Sequence, residues 1–230
     1  MAFNIIASSF EQKEIERAQW QKTAMTGFIF GFVALYFNFV GLMTQFVERW
    51  IIEDVLTLAH VTLMGVALFG GVTIAIRSKD LTTASKIVNG AAVGAMVGIA
   101  LSLLMLFMTQ LNVRFMFVAL SNKLFLFLSW KQGLGGGIAL QIALGAGLGA
   151  LGVIVVTMPK TLRKPLVWAF ASVFFIGLFS ELIQLVMQYE FILGVRDWFF
   201  SWEGQRLQGA IVVFVVAFTA SMYWTIREIG

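Results

Sequence analysis

Charged and strongly polar residues in this chain gather into short islands, and between them run apolar stretches at about 25–46, 55–76, 87–108, 134–157, 166–187 and 209–226. Each is as long as, or longer than, the roughly 18 residues that signal a bilayer-spanning helix. The pattern predicts an all-α, polytopic membrane helical bundle of about six transmembrane helices. Taken in pairs, the stretches make three hairpins, each with an outer connection and a basic inner flank.

Two of the stretches carry small residues at a helical interval. Gly90, Gly94 and Gly98 recur every four residues in the third, and Gly133, Gly137, Gln141, Gly145 and Gly149 keep that spacing in the fourth. Four residues is close to one helical turn, so each set forms a smooth stripe. Such stripes let membrane helices approach until dispersion contacts hold them together. The two stretches are expected to form a close-packed hairpin and the rigid centre of the bundle, with Gln141 as an internal hydrogen bond. Gly27 and Gly31 give the first stretch a smaller patch of the same kind.

The islands predict how the spans are joined. Residues 1–24 read as an amphipathic helix ahead of a single transmembrane domain at 25–226, with Ser8 and Glu11 spaced as a capping box and Phe10, Ile15 and Trp20 as apolar contacts. This helix is expected to lie on the inner membrane face or to dock on a partner subunit. The outer turn 48–54 is short and charged. The connection 109–132 is rich in aromatics (Phe115, Phe117, Phe125, Phe127, Trp130), which predicts one or two interfacial or re-entrant helices, the second capped at Ser121. Pro159 and Pro165 bracket a basic turn, and the last outer connection again mixes charges with Phe191, Trp198, Phe199, Phe200 and Trp202.

Composition sharpens the class: 60% of residues are hydrophobic and 12% are charged. One set of flanks collects Lys13, Arg17, Lys22, Arg77, Lys79, Lys86, Lys160, Arg163, Lys164 and Arg227. On the other flanks Arg49, Arg114, Lys123, Lys131, Arg196 and Arg206 are offset by six acidic residues. Positive charge is retained on the cytoplasmic side, so both termini are expected there. The first stretch follows a long polar head and lacks a small-x-small cleavage site, so it is expected to be a span and not a signal peptide. The basic flanks would attract anionic lipid and are no nucleic-acid footprint. Tryptophans fall near predicted boundaries, Trp20, Trp168 and Trp224 on the inner side and Trp50, Trp130, Trp198 and Trp202 on the outer. The absence of cysteine excludes disulfides and thiolate metal sites.

Few residues offer chemistry. Glu181 is the carboxylate well inside an expected span, and a charge there costs roughly 2.5–3.5 kcal/mol on insertion scales. Ser180, Gln184 and Gln188 would share its side of the helix. Two readings stand: a substrate, ion or proton site, or a structural carboxylic acid bonded to a neighbouring span. His60, the chain's one histidine, has Thr57 and Thr62 close by and reads as a capping or hydrogen-bonding residue, or as a proton-linked or pigment-ligating one. Asn38 is a further buried amide. There is no phosphate loop, no HExxH, no serine-nucleophile motif and no carboxylate pair within a span, so no metal site, no cofactor and no catalysis by this chain alone are expected.

Within the second stretch, Leu56-Thr57-Leu58-Ala59-His60, followed by Met64-Gly65 and Leu68-Phe69, resembles a segment of bacterial branched-chain amino-acid ABC-transporter permeases. Val66, Ala67 and Phe69 depart from that family's pattern of small residues and tyrosine. The rhythm of glycine-rich hairpins is also similar to the extra N-terminal spans of its long members. The resemblance implies a permease-like component of a solute transport system, multi-pass in a bacterial inner membrane and working with an ATPase and a solute-binding protein. The competing expectation is an accessory or structural subunit of a larger membrane complex, energy-transducing or pigment-binding. A third makes the aromatic segments a pigment, quinone or lipid scaffold with His60 as ligand.

Overall fold

A computed structural model describes residues 2–78, 81–110, 122–187, 193–201 and 204–229. The side chains of 2–16, and with them the Ser8–Glu11 capping box, fall outside the described residues, as do Phe115, Phe117, the Ser121 cap, Gln188, Phe191 and Trp202. Among the described residues the chain forms ten α-helices and one two-stranded hairpin. Five helices are long and apolar enough to cross a membrane: α3 (Leu58–Arg77), α4 (Thr83–Gln110), α6 (Gly133–Thr157), α7 (Lys160–Leu178) and most of α10 (Leu207–Ile229). They match the second, third, fourth, fifth and last expected spans.

The first expected span is divided. Helix α1 (Ala2–Phe39) runs without interruption through the polar head and most of the apolar stretch, and α2 (Leu42–Phe46) follows a break. Gly41 sits at φ 80°, a left-handed turn that glycine adopts without strain. The fifth stretch is divided as well. Helix α7 stops at Leu178, Phe179 leaves helical geometry, and α8 (Ser180–Val186) resumes. The basic segment expected as a turn between two prolines is instead the start of α7: Pro159 precedes the helix and Pro165 lies inside it. Pro165 is the sixth residue of the helix, past the first turn, so it forgoes the i→i−4 bond that its N–H would have made.

The chain divides into two compact units. The first comprises Met1–Val40 and Met64–Thr157 and is built on the glycine seam. A methyl group added to Gly94 would overlap the carbonyl oxygen of Gly145, one on Gly149 that of Gly90, and one on Gly98 that of Gln141. As α4 advances by one turn its partner in α6 recedes by one, so the two helices are antiparallel. Helix α1 lies along α4 in the same direction, Gly27 against Met96 and Gly31 against Ala100, where an added carbon would stand 3.2 Å from the alanine Cβ. Gly71 of α3 meets Gly149, and Gly152 of α6 meets Leu68, so α3 also joins at the seam. Val93, Val97, Leu101, Met105 and Val153 are buried around it.

Helix α5 (Asn122–Leu128) belongs to this unit and turns sharply into α6. Trp130 and Lys131 both have positive φ, and their N–H groups donate to the carbonyls of Phe127 (3.1 Å) and Leu126 (3.0 Å). This is a Schellman ending made without glycine at its left-handed position. Leu124 and Leu128 are fully buried.

The second unit comprises Gly41–Leu63 and Met158–Gly230. Helices α7 and α10 pack antiparallel, with Lys164 beside Glu228 at one end and the rings of Phe170 and Phe214 edge to face at 5.1 Å further along. Strands β1 (Trp50–Ile52) and β2 (Leu56–Thr57) form the hairpin, and α9 (Leu193–Phe199) precedes α10.

Seam positions and open positions separate cleanly. Gly94→Leu and Gly145→Leu are expected to force α4 and α6 apart and cost at least about 1–3 kcal/mol, the range for overpacked cores. Gly147, with open space around it, is expected to accept leucine with little change. Thermal unfolding of the detergent-solubilised chain measures the difference. Equal midpoints for Gly94→Leu and Gly147→Leu would remove the seam from its central role.

Candidate functional site

The sequence draws attention to His60, Glu181, Gln184 and Asn38, and the first three belong to the second unit. His60 lies in the first turn of α3, three residues after Thr57. Thr57 Oγ1 accepts from the His60 N–H at 3.3 Å, and His60 Nδ1 accepts from the Thr57 N–H at 3.4 Å while standing 3.0 Å from Thr57 Oγ1. That exchange is a capping box with the imidazole where glutamate usually stands. Thr62 returns its hydroxyl to Leu58 O within the same helix (2.8 Å).

Thr57 also ends the hairpin that organises this region. In β1 and β2 Trp50 faces Thr57 and Ile52 faces Leu56, and Asp54 (φ 58°) occupies the turn. The Leu58 N–H donates to Arg49 O (2.8 Å), which fixes the start of α3 against the start of the hairpin. From there Arg49 Nη2 reaches Leu178 O (3.1 Å), at the break between α7 and α8. Ile51 is buried against Gly177, where an added Cβ would come 2.5 Å from the Ile51 carbonyl oxygen. The hairpin therefore packs its backbone against the last turn of α7 and bonds its final carbonyl.

Glu181 differs from its expected setting. It lies in the first turn of the short α8, outside the long apolar helices, and its side chain is exposed. Ser180 and Gln184, one turn apart, share the inward face instead: Ser180 is buried and Gln184 Nε2 donates to Ser201 O at 2.8 Å. Glu181 is off that face because 100° per residue turns it away. A carboxylate in a first helical turn is favourably placed toward the positive end of the helix dipole.

The segment after α9 completes the platform. Ser201 N–H donates to Gly204 O (2.9 Å), Arg206 N–H to Phe199 O (2.8 Å), and Glu53 N–H to Gln205 O (2.9 Å), so this loop pairs with the edge of the hairpin. Gln205 is fully buried, and neither its Oε1 nor its Nε2 has a hydrogen-bond partner. Nothing in the hydrophobic pattern singles out Gln205, because its surroundings come from a hairpin some 150 residues earlier.

In the first unit, Asn38 is fully buried in α1 and donates to Ala34 O of its own helix at 2.7 Å, while its Oδ1 is unpartnered. Gln141 of the glycine stripe donates to Leu128 O at 2.7 Å. It thus ties α6 to the end of α5 rather than to α4, and it takes a carbonyl that the Schellman turn leaves over. Among the described residues no group of three His, Asp or Glu side chains could hold a metal ion. The polar side chains described here bond to the chain's own backbone: Gln141 and Gln184 donate to carbonyls at or beyond helix ends, Asn38 to a carbonyl of its own helix, and His60 accepts at the start of α3. No family model, curated protein or solved structure matches the chain.

His60→Gln, which keeps an acceptor at the third helical position, is expected to stay within a few tenths of a kcal/mol of the native chain. His60→Leu should lose about 1 kcal/mol, the usual worth of a helix cap. Gln141→Leu leaves Leu128 O unmet and should cost about 1–3 kcal/mol. Urea or thermal unfolding in mild detergent reads all three; equal loss for His60→Gln and His60→Leu would contradict the capping role.

Proposed function

We propose that this chain is a multi-pass, non-catalytic membrane component of a solute transport system, and that it forms the packed structural part of that system. The observation that carries this reading is the use made of its polar side chains. Asn38, His60, Gln141 and Gln184, the groups best suited to line a path, are each engaged with the chain's own backbone. The transport class enters through the resemblance of Leu56–His60 to the permease segment. An ATPase and a solute-binding protein are the partners it implies, together with other membrane subunits in a bacterial inner membrane.

Six crossings with both termini on the cytoplasmic side fit the helix directions within each unit. Helix α1 runs with α4 and α6 runs against it, as the first, third and fourth spans of such a chain must; α7 and α10 are likewise opposed. The apolar part of α1 supplies the sixth crossing. Glu181 serves as an exposed helix-start carboxylate in this reading, not as a substrate or proton site.

Native purification followed by identification of the co-purifying chains tests the proposal, with solute uptake measured after reconstitution with them. ATPase and permease chains should accompany the protein. Glu181→Gln should leave uptake unchanged within about twofold, and Gly94→Leu should abolish co-purification. A monodisperse monomer that binds solute alone, or uptake that collapses with Glu181→Gln, would sink it.

A further inference from the structure

Helices α7 and α10 do not close fully on one another. Between them lies a cleft of about 470 Å³, lined by Ser172 on α7 and by Ala220, Ser221 and the buried Thr225 on α10. Trp168 and Trp224 form its walls, 62% and 64% exposed. At its mouth Lys164 Nζ meets Glu228 Oε2 at 2.8 Å, each side chain about half exposed. These lining side chains are too short to fill the space.

We infer that this cleft binds a phospholipid with an ethanolamine headgroup. One acyl chain lies along the small-residue lining between the two indole rings, and the headgroup meets the Lys164–Glu228 pair. In a bilayer an outward-opening apolar groove is filled by hydrocarbon, and indole rings prefer the headgroup level. The charged pair selects the headgroup. An ammonium beside a carboxylate is the complement of a phosphate beside an ammonium. A primary ammonium can donate N–H bonds to Glu228, as lysine does, whereas a choline headgroup has no N–H to give. The basic residues around the pair attract the phosphate of either headgroup, and a glycerol headgroup differs in having no ammonium to meet Glu228. The inference rests on α7 and α10 spanning a membrane, and it is independent of any role in transport.

The test is native mass spectrometry of the full chain, released from detergent after equilibration with equal amounts of phosphatidylethanolamine, phosphatidylglycerol and phosphatidylcholine. The native chain should retain one phosphatidylethanolamine, about tenfold over either competitor, as expected for one charge-assisted hydrogen bond. Glu228→Gln should erase that preference, and Ala220→Phe, which fills the cleft, should lower retention of all three lipids. Should Ala220→Phe fail to fold, the exposed Glu228→Gln change decides. Equal retention by the native chain, or an unchanged preference in Glu228→Gln, overturns the proposal. A photo-reactive side chain at position 172 that captures protein and no lipid also overturns it. Carbonate extraction of each variant checks membrane integration separately, so loss of the spanning arrangement is distinguishable from loss of the lipid site.

Discussion

A backbone carbonyl released at a helix end in apolar surroundings must find a donor within the protein, because no water is there to supply one. The irregular parts of this chain are arranged around that demand. Long side chains meet it, among them Gln141 at Leu128 O, the last residue of α5, Arg49 at Leu178 O, the last of α7, and Gln184 at Ser201 O, beyond α9. Their partners lie 13, 129 and 17 residues away in sequence, so the helix breaks are fixed by tertiary contacts and not by local preference. The break after Leu178 shows the order of cause. Gly177 lets the Ile51 backbone approach, and Arg49 then competes for the carbonyl that the next turn would have used.

The second constraint is close approach, and α4 carries it. Gly94 and Gly98 face α6, whereas Met96 and Ala100 face α1. Positions two apart are about 200° apart around a helix, so these are opposite sides of one rod. One side is bare so that backbones touch; the other presents Met96 into the gap left by Gly27. Without a hydrophobic drive between helices in lipid, contact area of this kind is what holds them together. That explains why the small residues sit at four-residue intervals on α4 and α6 but only as a pair on α1.

The apolar stretches and the glycine interval were legible because each rests on a property local to one helix. The pairing of Gly94 with Gly145 could be anticipated from two matching stripes, and the structure adds their antiparallel register. The breaks were not legible: Phe179 stands in an apolar run like any other, and only Ile51 and Arg49, far off in sequence, mark it. The setting of Glu181 was not legible for the same reason. With α7 assumed continuous it is a mid-helix residue; with the break it becomes a first-turn carboxylate, exposed on a short helix. Gln205 escaped notice because burial by a distant hairpin leaves no trace in hydrophobic periodicity.

The Leu56–His60 segment brings these points together. Its resemblance to a transporter segment draws attention to the histidine as a site, yet the three-residue spacing from Thr57 to His60 is also what a reciprocal N-terminal cap demands. His60 Nδ1 accepts from the Thr57 N–H while the His60 N–H donates to Thr57 Oγ1. A capping box at this point does something a plain threonine cap would not, because it satisfies Thr57 on both its oxygen and its nitrogen at the junction of β2 and α3. The hairpin can therefore pass directly into a long apolar helix with no intervening loop. A histidine in such a motif is retained by the geometry of the strand-to-helix junction alone, so a similar string in another membrane protein is evidence of a shared helix start before it is evidence of a shared ligand.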